Sequence, residues 1–196
     1  MSISKSLSED ITSPIGNSLA IYKEDESGLL MLKDIYGNLD FLNNYFNPSV
    51  TYQGSFYDTT IQTSLGSEIK AITLNSTDIS NGISVVNSSQ IKVASAGVYN
   101  LQFSAQITKT QGGSAENVFI WFRKNGQDIA NSNTAITLAN NNTLLVASWN
   151  FFSQMSVNDY LQVMWYSTDV HIRLIAQSAT ANYPAIPSVI ATMSKV

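Results

Sequence analysis

Cysteine is absent from the sequence, which excludes disulfides, iron–sulfur clusters and thiolate metal sites. Charge is scarce. Asp, Glu, Lys and Arg make up 12% of the 196 residues, about half the usual share. The ten Lys and Arg are scattered and the formal net charge is −4, so no basic stripe exists to neutralise phosphates, which argues against nucleic-acid binding. No apolar window is long enough to cross a bilayer. The opening Met1-Ser2-Ile3-Ser4-Lys5-Ser6-Leu7-Ser8-Glu9-Asp10 is polar and carries acids, without the basic and apolar regions of a signal peptide. The expectation is synthesis in a cytoplasm, with the workplace reached by assembly or lysis.

What remains is apolar or neutral. Hydrophobic residues make up 44% of the chain, enough for a real core, and the length suits one domain, or one domain with a small appendage. Asn, Ser and Thr take the place of charge as the polar surface. So weakly charged a chain stays soluble less easily as a lone particle, a pattern that fits a part of an assembly and is also found among extracellular β-sandwiches.

Three stretches differ in character. Residues 1–18 are Ser/Thr-rich and patternless, an extended arm. Residues 19–46 hold three short apolar runs, Leu19–Lys23, Leu29–Lys33 and Leu39–Leu42, separated by turns at Glu24–Gly28 and Asp34–Asn38. Gly28 and Gly37 supply the freedom that tight turns need. The reading is a small β-meander, and Leu and Met leave a helix over 29–42 as the alternative. A meander this short cannot bury its leucines alone, so they need the main domain or other copies of the chain. Asn47-Pro48-Ser49 marks a boundary, and residues 47–196 form the main body.

Strand signals recur through that body. From Gly97 to Ile107 the chain alternates, with Tyr99, Leu101, Phe103, Ala105 and Ile107 on one face and Asn100, Gln102, Ser104 and Gln106 on the other. Val118–Arg123 is apolar on both faces and needs cover on its outer side; Asn125-Gly126 then gives a strong turn signal. Further strands are expected at Leu144–Phe152, Tyr160–Tyr166, His171–Ala176 and Pro187–Met193. About eight strands with no helical pattern between them predict an antiparallel sandwich or barrel, and no fixed-period repeat points to a solenoid or propeller.

Several of these segments resemble the tumour-necrosis-factor-like jelly roll, shared with the globular head of complement and collagen-associated proteins. They are Ala96–Phe103, the Phe122–Gly126 hairpin, the turn and strand start at Val157–Leu161, and the closing C-terminal strand. The likeness is closer to the C-terminal domains of many bacteriophage fibre and virion-decoration proteins. It is carried by Gly54–Thr60, Ile72–Asp78, Trp121–Gly126, Ala147–Phe151 and Pro184–Ile190, and covers roughly residues 52–196, about three-quarters of the chain. The resemblance implies an all-β jelly-roll sandwich, a homotrimer around a three-fold axis, and an N-terminal segment that fixes the trimer to the particle.

Chemistry-bearing residues are few. Ser167, Asp169 and the single histidine His171 could be drawn as a hydrolytic trio, but a Ser and a His four residues apart on a strand and turn point in unhelpful directions and no nucleophile-elbow pattern exists. Glu24-Asp25-Glu26 lacks calcium-loop spacing and reads as a solvated turn. Gly112-Gly113 has no following Lys-Ser/Thr, so it is a loop tip and not a phosphate loop. Trp121, Trp149 and Trp165 could stack on sugars; their apolar neighbours favour core or subunit-interface roles. Asn75, Asn87 and Asn141 start glycosylation-type triplets, read as plain loop residues. The acids of the main body, Asp58, Glu68, Asp78, Glu116, Asp128, Asp159 and Asp169, all read as loop or turn residues, a poor basis for a paired-carboxylate glycosidase.

The expectation is therefore a non-enzymatic structural virion protein without cofactor or metal. It would be a trimeric head-fibre or decoration subunit, attached to capsid or tail proteins through residues 1–46, with neither nucleic acid nor membrane insertion involved. Leu19, Ile21, Leu29, Leu30, Met31, Leu32, Phe41, Phe119 and Trp121 are the candidate oligomer or attachment residues. The alternative is a tail-fibre module that recognises a host surface glycan or protein, with loops 108–116 and 139–143 as its candidate contacts.

Overall fold

The longest strand sets the architecture. The alternation that begins at Gly97 runs to Lys109 and forms β10 (Gly97–Lys109), with Tyr99, Leu101, Phe103, Ala105 and Ile107 all buried. Its flanks are covered on both edges, because three other strands pair with it. The computed structural model describes residues 51–196 apart from Ser67, together with the strand backbone at 20–24, 29–33 and 39–41.

The chain divides into two units, Met1–Val50 and Thr51–Val196. In the first, β1 (Ala20–Glu24), β2 (Leu29–Lys33) and β3 (Leu39–Phe41) pair antiparallel in that order. Strands, not a helix, occupy the described part of 29–42. Ile21 stands opposite Leu32, Tyr22 opposite Met31, and Met31 opposite Phe41. The expected arm 1–18, Leu19, the turns between the strands and the boundary at 47–49 lie outside the described residues, as do the side chains of Ile21, Leu29, Leu30, Met31, Leu32 and Phe41.

The second unit is all-β: two antiparallel sheets packed as a sandwich, with no helix among the described residues. The first sheet contains β4 (Gln53–Asp58), β5 (Gln62–Thr63), β7 (Ser76–Asn81), β10, β14 (Leu144–Met155), β16 (Ile172–Leu174) and β17 (Val189–Lys195). β14 pairs with β10 from Gly97 to Thr108. On the other edge of β10, β17 pairs over Tyr99–Ala105 and β16 takes over at Ile107. β17 continues the sheet to β4, and β4 to β7 through a bulge after Ser55. Among the described residues β14 pairs with no strand but β10, so it is a twelve-residue edge there.

The second sheet contains β6 (Lys70–Ala71), β8 (Ile83–Val86), β9 (Gln90–Val93), β11 (Glu116–Lys124), β12 (Gln127–Asp128), β13 (Thr134–Leu138) and β15 (Tyr160–Tyr166). β11 lies against β15, with β12 and β13 on its other edge; β9 and β6 pair with the far edge of β15, and β8 with β9. The fourteen described strands of this unit exceed the eight or so expected in part because β5, β6 and β12, two residues each, carry too few side chains to show a period. The expected His171–Ala176 run shortens to β16.

The core lies between the sheets. Leu101, Phe103 and Ile107 from the first meet Ile120, Phe122 and Trp165 from the second. Phe122 stacks on Phe151 at 4.5 Å and meets Phe103 edge-on at 6.0 Å, while Phe103 meets Trp149 edge-on at 4.7 Å. Such aromatic pairs add about 0.5–1.5 kcal/mol each beyond the area they bury.

Turn chemistry follows the sequence closely at two places. Asn125 and Gly126 both take positive φ, 48° and 81°, in the two-residue loop that joins β11 to β12, the geometry that makes Asn-Gly the preferred hairpin turn. Asn158 takes φ 70° just before β15. The acids depart from expectation. Asp58, Asp78, Glu116 and Asp128 lie within β4, β7, β11 and β12 and not in loops. Asp58 is the extreme case: it is 1% exposed and satisfied by hydrogen bonds from Thr60 N at 2.8 Å, Thr60 Oγ1 at 2.5 Å and Thr73 Oγ1 at 2.7 Å. Local donors make a strand-end carboxylate tolerable in a place its composition alone would forbid.

Candidate functional site

The two sheets turn very different outer faces to their surroundings. Period two decides which residues point out. On β10 they are Val98, Asn100, Gln102, Ser104 and Gln106; on β14 they run from Leu144 through Val146, Ser148, Asn150 and Phe152 to Gln154. β17 adds Ile190, Thr192 and Ser194, and β4 adds Gln53, Ser55 and Tyr57, as the ladder register requires. No outward residue of these four strands is charged. Exposed among them are Phe152 (55%), Leu144 and Val146 (52% each), Ile190 and Val98. A shallow hollow of about 210 Å³ crosses the face, lined in part by Gln53, Ser55, Asn100, Gln102 and Thr192. Neutral amides and hydroxyls of this kind can pair with a facing protein surface without the desolvation cost of burying ions.

The second sheet turns out a different set. Phe119 and Trp121 from β11 and Tyr166 from β15 stand on its outer face, opposite in sense to the core residues Val118, Ile120, Phe122 and Trp165. Register places Phe119 beside Tyr166 and Trp121 beside Met164. The Phe119 and Tyr166 rings are 6.3 Å apart and inclined by 30°. With Ile69, Ile129, Asp128 and Asn133 they line an open hollow of about 560 Å³. Among the described residues, the outer cover that the doubly apolar Val118–Arg123 run requires is thus only partial.

Asp128 anchors one rim of that hollow. Its Oδ1 accepts hydrogen bonds from Trp121 Nε1 at 2.8 Å and Arg123 Nε at 2.7 Å. Those bonds, Arg123 first and Trp121 second, hold the carboxyl below the ordinary carboxylate range. The indole is pinned by its own N–H, and Arg123 already balances the charge.

A third cluster closes the end of the first sheet. Lys109, 1% exposed, lies 3.3 Å from Asp169 Oδ2 and donates to the Ser114 carbonyl. Asp169 Oδ1 sits 2.8 Å from both the backbone N and the ring Nδ1 of His171. Burial pushes the Asp169 carboxyl up, but the His171 backbone and ring together with the Lys109 ammonium outweigh it and leave it below the usual range. Ser167 is fully buried, and its Oγ accepts from the Asp169 backbone N at 3.3 Å. The three residues therefore meet as a loop clamp in which the hydroxyl is turned to the backbone. Thr110 Oγ1 donates to the His171 carbonyl at 3.2 Å, tying the start of the Gly112-Gly113 loop to the same clamp.

The tryptophans divide by depth. Trp165 is buried in the core and Trp149 packs on Phe103, while Trp121 stands outward in the hollow. Among the described residues no group of three or more His, Asp or Glu side chains converges as a metal site. Of the loops singled out, 108–116 begins inside β10, with Thr108 and Lys109 buried, so only its tip is open; 139–143 is joined to it by Asn142 N donating to the Lys109 carbonyl at 2.7 Å. Sequence reasoning missed the neutral face, because its residues come from four strands far apart in the chain and only the pairing brings them together. It also missed the partnership of Tyr166, Asp128 and Asn133 with Trp121. A scan against protein-family models and a search of curated proteins each found no match to this chain.

Proposed function

We propose that this chain is a non-enzymatic structural subunit of a bacteriophage particle, a head-fibre or decoration protein that works as a homotrimer. The main unit is read as a jelly roll. Supporting this, eight of its strands, β4, β9, β10, β11, β13, β14, β15 and β17, fall into sheets ordered β14-β10-β17-β4 and β13-β11-β15-β9, with β7 and β8 added beside β4 and β9, the order that two interleaved Greek keys produce. In this reading residues 1–46 attach the trimer to capsid or tail proteins, and the jelly roll projects outward.

The observation that carries the proposal is the uncharged outer face of β14, β10, β17 and β4, with Phe152, Leu144 and Val146 each more than half exposed. The opposite sheet carries Lys92 and Arg123 on its outward positions, so the lack of charge is local and not only compositional. A face of this kind loses little on desolvation and gains by burial of its aliphatic and aromatic members. Sister copies are the natural cover in a chain with little charge to keep it dispersed. Phe119 and Trp121 stand on the other sheet, so this reading leaves them outside the trimer interface.

Light scattering on the purified full-length chain tests it. The expected result is a mass three times that of the chain, persisting at low micromolar concentration. A stable monomer at that concentration overturns the proposal.

A further inference from the structure

We propose that the hollow formed by Phe119, Trp121 and Tyr166 with Asp128 and Asn133 binds a neutral pyranose ring of a glycan. Three aromatic side chains from two adjacent strands point out of the sheet into one open space. Ring faces exposed in this way match the C–H face of a sugar, which is apolar although its edge is polar. The hollow is large enough for a ligand of one or two rings, at about 560 Å³, within the ordinary range of small-molecule sites.

Polar groups stand where the edge of such a ring would lie. Asp128 uses only Oδ1 for Trp121 and Arg123; its Oδ2 has no hydrogen-bond partner among the described residues, and neither has the Asn133 amide. A carboxylate oxygen that accepts and an amide that both donates and accepts suit neighbouring hydroxyls, which do both. Trp121 is also held in place before any ligand arrives, because its N–H is bonded to Asp128, and an aromatic anchor already fixed loses little freedom on binding.

Charge narrows the ligand class. Arg123 compensates Asp128 at 2.7 Å, so among the described residues the rim carries no net charge to draw a quaternary ammonium into the aromatic space or to favour a sulfated or phosphorylated sugar. A neutral sugar is the class left. The site lies on the sheet opposite the proposed trimer face, so it does not rest on the trimer, and three copies would present three sites, which raises avidity for a repeating polymer.

Isothermal titration of the full-length chain with methyl glycosides of glucose, galactose and N-acetylglucosamine, and with oligomers of each, tests the proposal. Choline chloride serves as the competing probe. Binding of at least one glycoside is expected. Trp121→Ala should weaken it about tenfold or more, as loss of a central aromatic anchor does. Asn133→Ala, an exposed change that leaves the fold intact, should weaken it measurably, and Trp149→Phe should not. Light-scattering mass and melting temperature of Asn133→Ala should match the parent. The idea is overturned if no glycoside binds, if binding is unchanged in both Trp121→Ala and Asn133→Ala, or if choline alone binds.

Discussion

Asn125 and Asp159, thirty-four residues apart, lock two turns together: Asn125 Nδ2 donates to Asp159 Oδ1 at 2.7 Å. The link is reciprocal, because Tyr160 N donates to Asn125 Oδ1 at 3.0 Å and Asn125 N to the Tyr160 carbonyl at 3.1 Å. Asp159 Oδ2 accepts from Ser156 N at 2.8 Å and pairs with Lys124 at 2.9 Å. The loop after β11 and the turn before β15 are thereby fixed in register before either strand leaves its end.

Asp159→Ala should lower stability by about 2 kcal/mol, since it removes a hydrogen-bonded charge and leaves donors unmatched. The Ser156 backbone and the Asn125 amide, helped by Lys124 and opposed by burial, hold the Asp159 carboxyl down at about 2. Because the folded value lies below the unfolded one, the carboxylate stabilises the fold above the ordinary Asp range, and that contribution drains away as pH falls towards 2. Urea melts at stepped pH should show a shallower acid loss in Asp159→Ala than in the parent.

Asp169→Asn should cost on the order of 3 kcal/mol, because it strips the counter-charge from a lysine buried at 1% exposure. Asp169 also sits below its ordinary range, so the parent's contribution from this pair is again present at neutral pH and lost on acidification. Lys109→Met in the Asp169→Asn background should recover part of the loss. Thermal melts of the three proteins at pH 7 check both statements.

Asp58→Ala should destabilise by about 2 kcal/mol, since the Thr60 N–H and hydroxyl and the half-buried Thr73 hydroxyl would lose their shared carboxyl acceptor. Thr73→Val removes only one of those donors and should cost about 1 kcal/mol. Chemical denaturation of the two variants gives the ratio.

Phe152→Asp and Gln102→Glu place charge on the neutral face of the first sheet without touching the core, as Phe152 is 55% exposed. Under the proposed assembly each should shift the light-scattering mass towards that of one chain, with circular dichroism unchanged. Ser84→Glu, on the other sheet, should leave the mass as it is.

The antiparallel sandwich was legible because its central strands obey simple periodicities. Tyr99 to Ile107 alternate and are buried as the pattern demands, and Asn125-Gly126 names its own turn. The edges were less legible. β5, β6 and β12 are two residues long, too short for any period to register, and their existence depends on pairing partners more than on local sequence. The acids were misplaced for a related reason. Asp58 is acceptable in a strand only because Thr60 and Thr73 reach it, and nothing in a linear reading announces that Thr73 will be near. The surfaces were hardest. Leu144–Phe152 was visible as a strand, but that its outward members join those of β10, β17 and β4 in one uncharged plane follows from ladder register alone. Trp121 was read as packing in the core or at a subunit interface in preference to stacking on sugars; the structure stands it on the outer face, where Asp128, seven residues on, returns across the hairpin to accept its N–H.

β4 takes one of its two partners from the far end of the chain: Gln53 to Asp58 zip against Ser194 to Val189. During synthesis this strand must therefore wait, with one flank unsatisfied, until some 130 further residues have been made. Loop closure on that scale is slow and comes late. The first sheet cannot be completed from the N-terminal side as the chain emerges, and a copy cut short before residue 189 would lack not a trailing segment but the strip that joins β10 to β4.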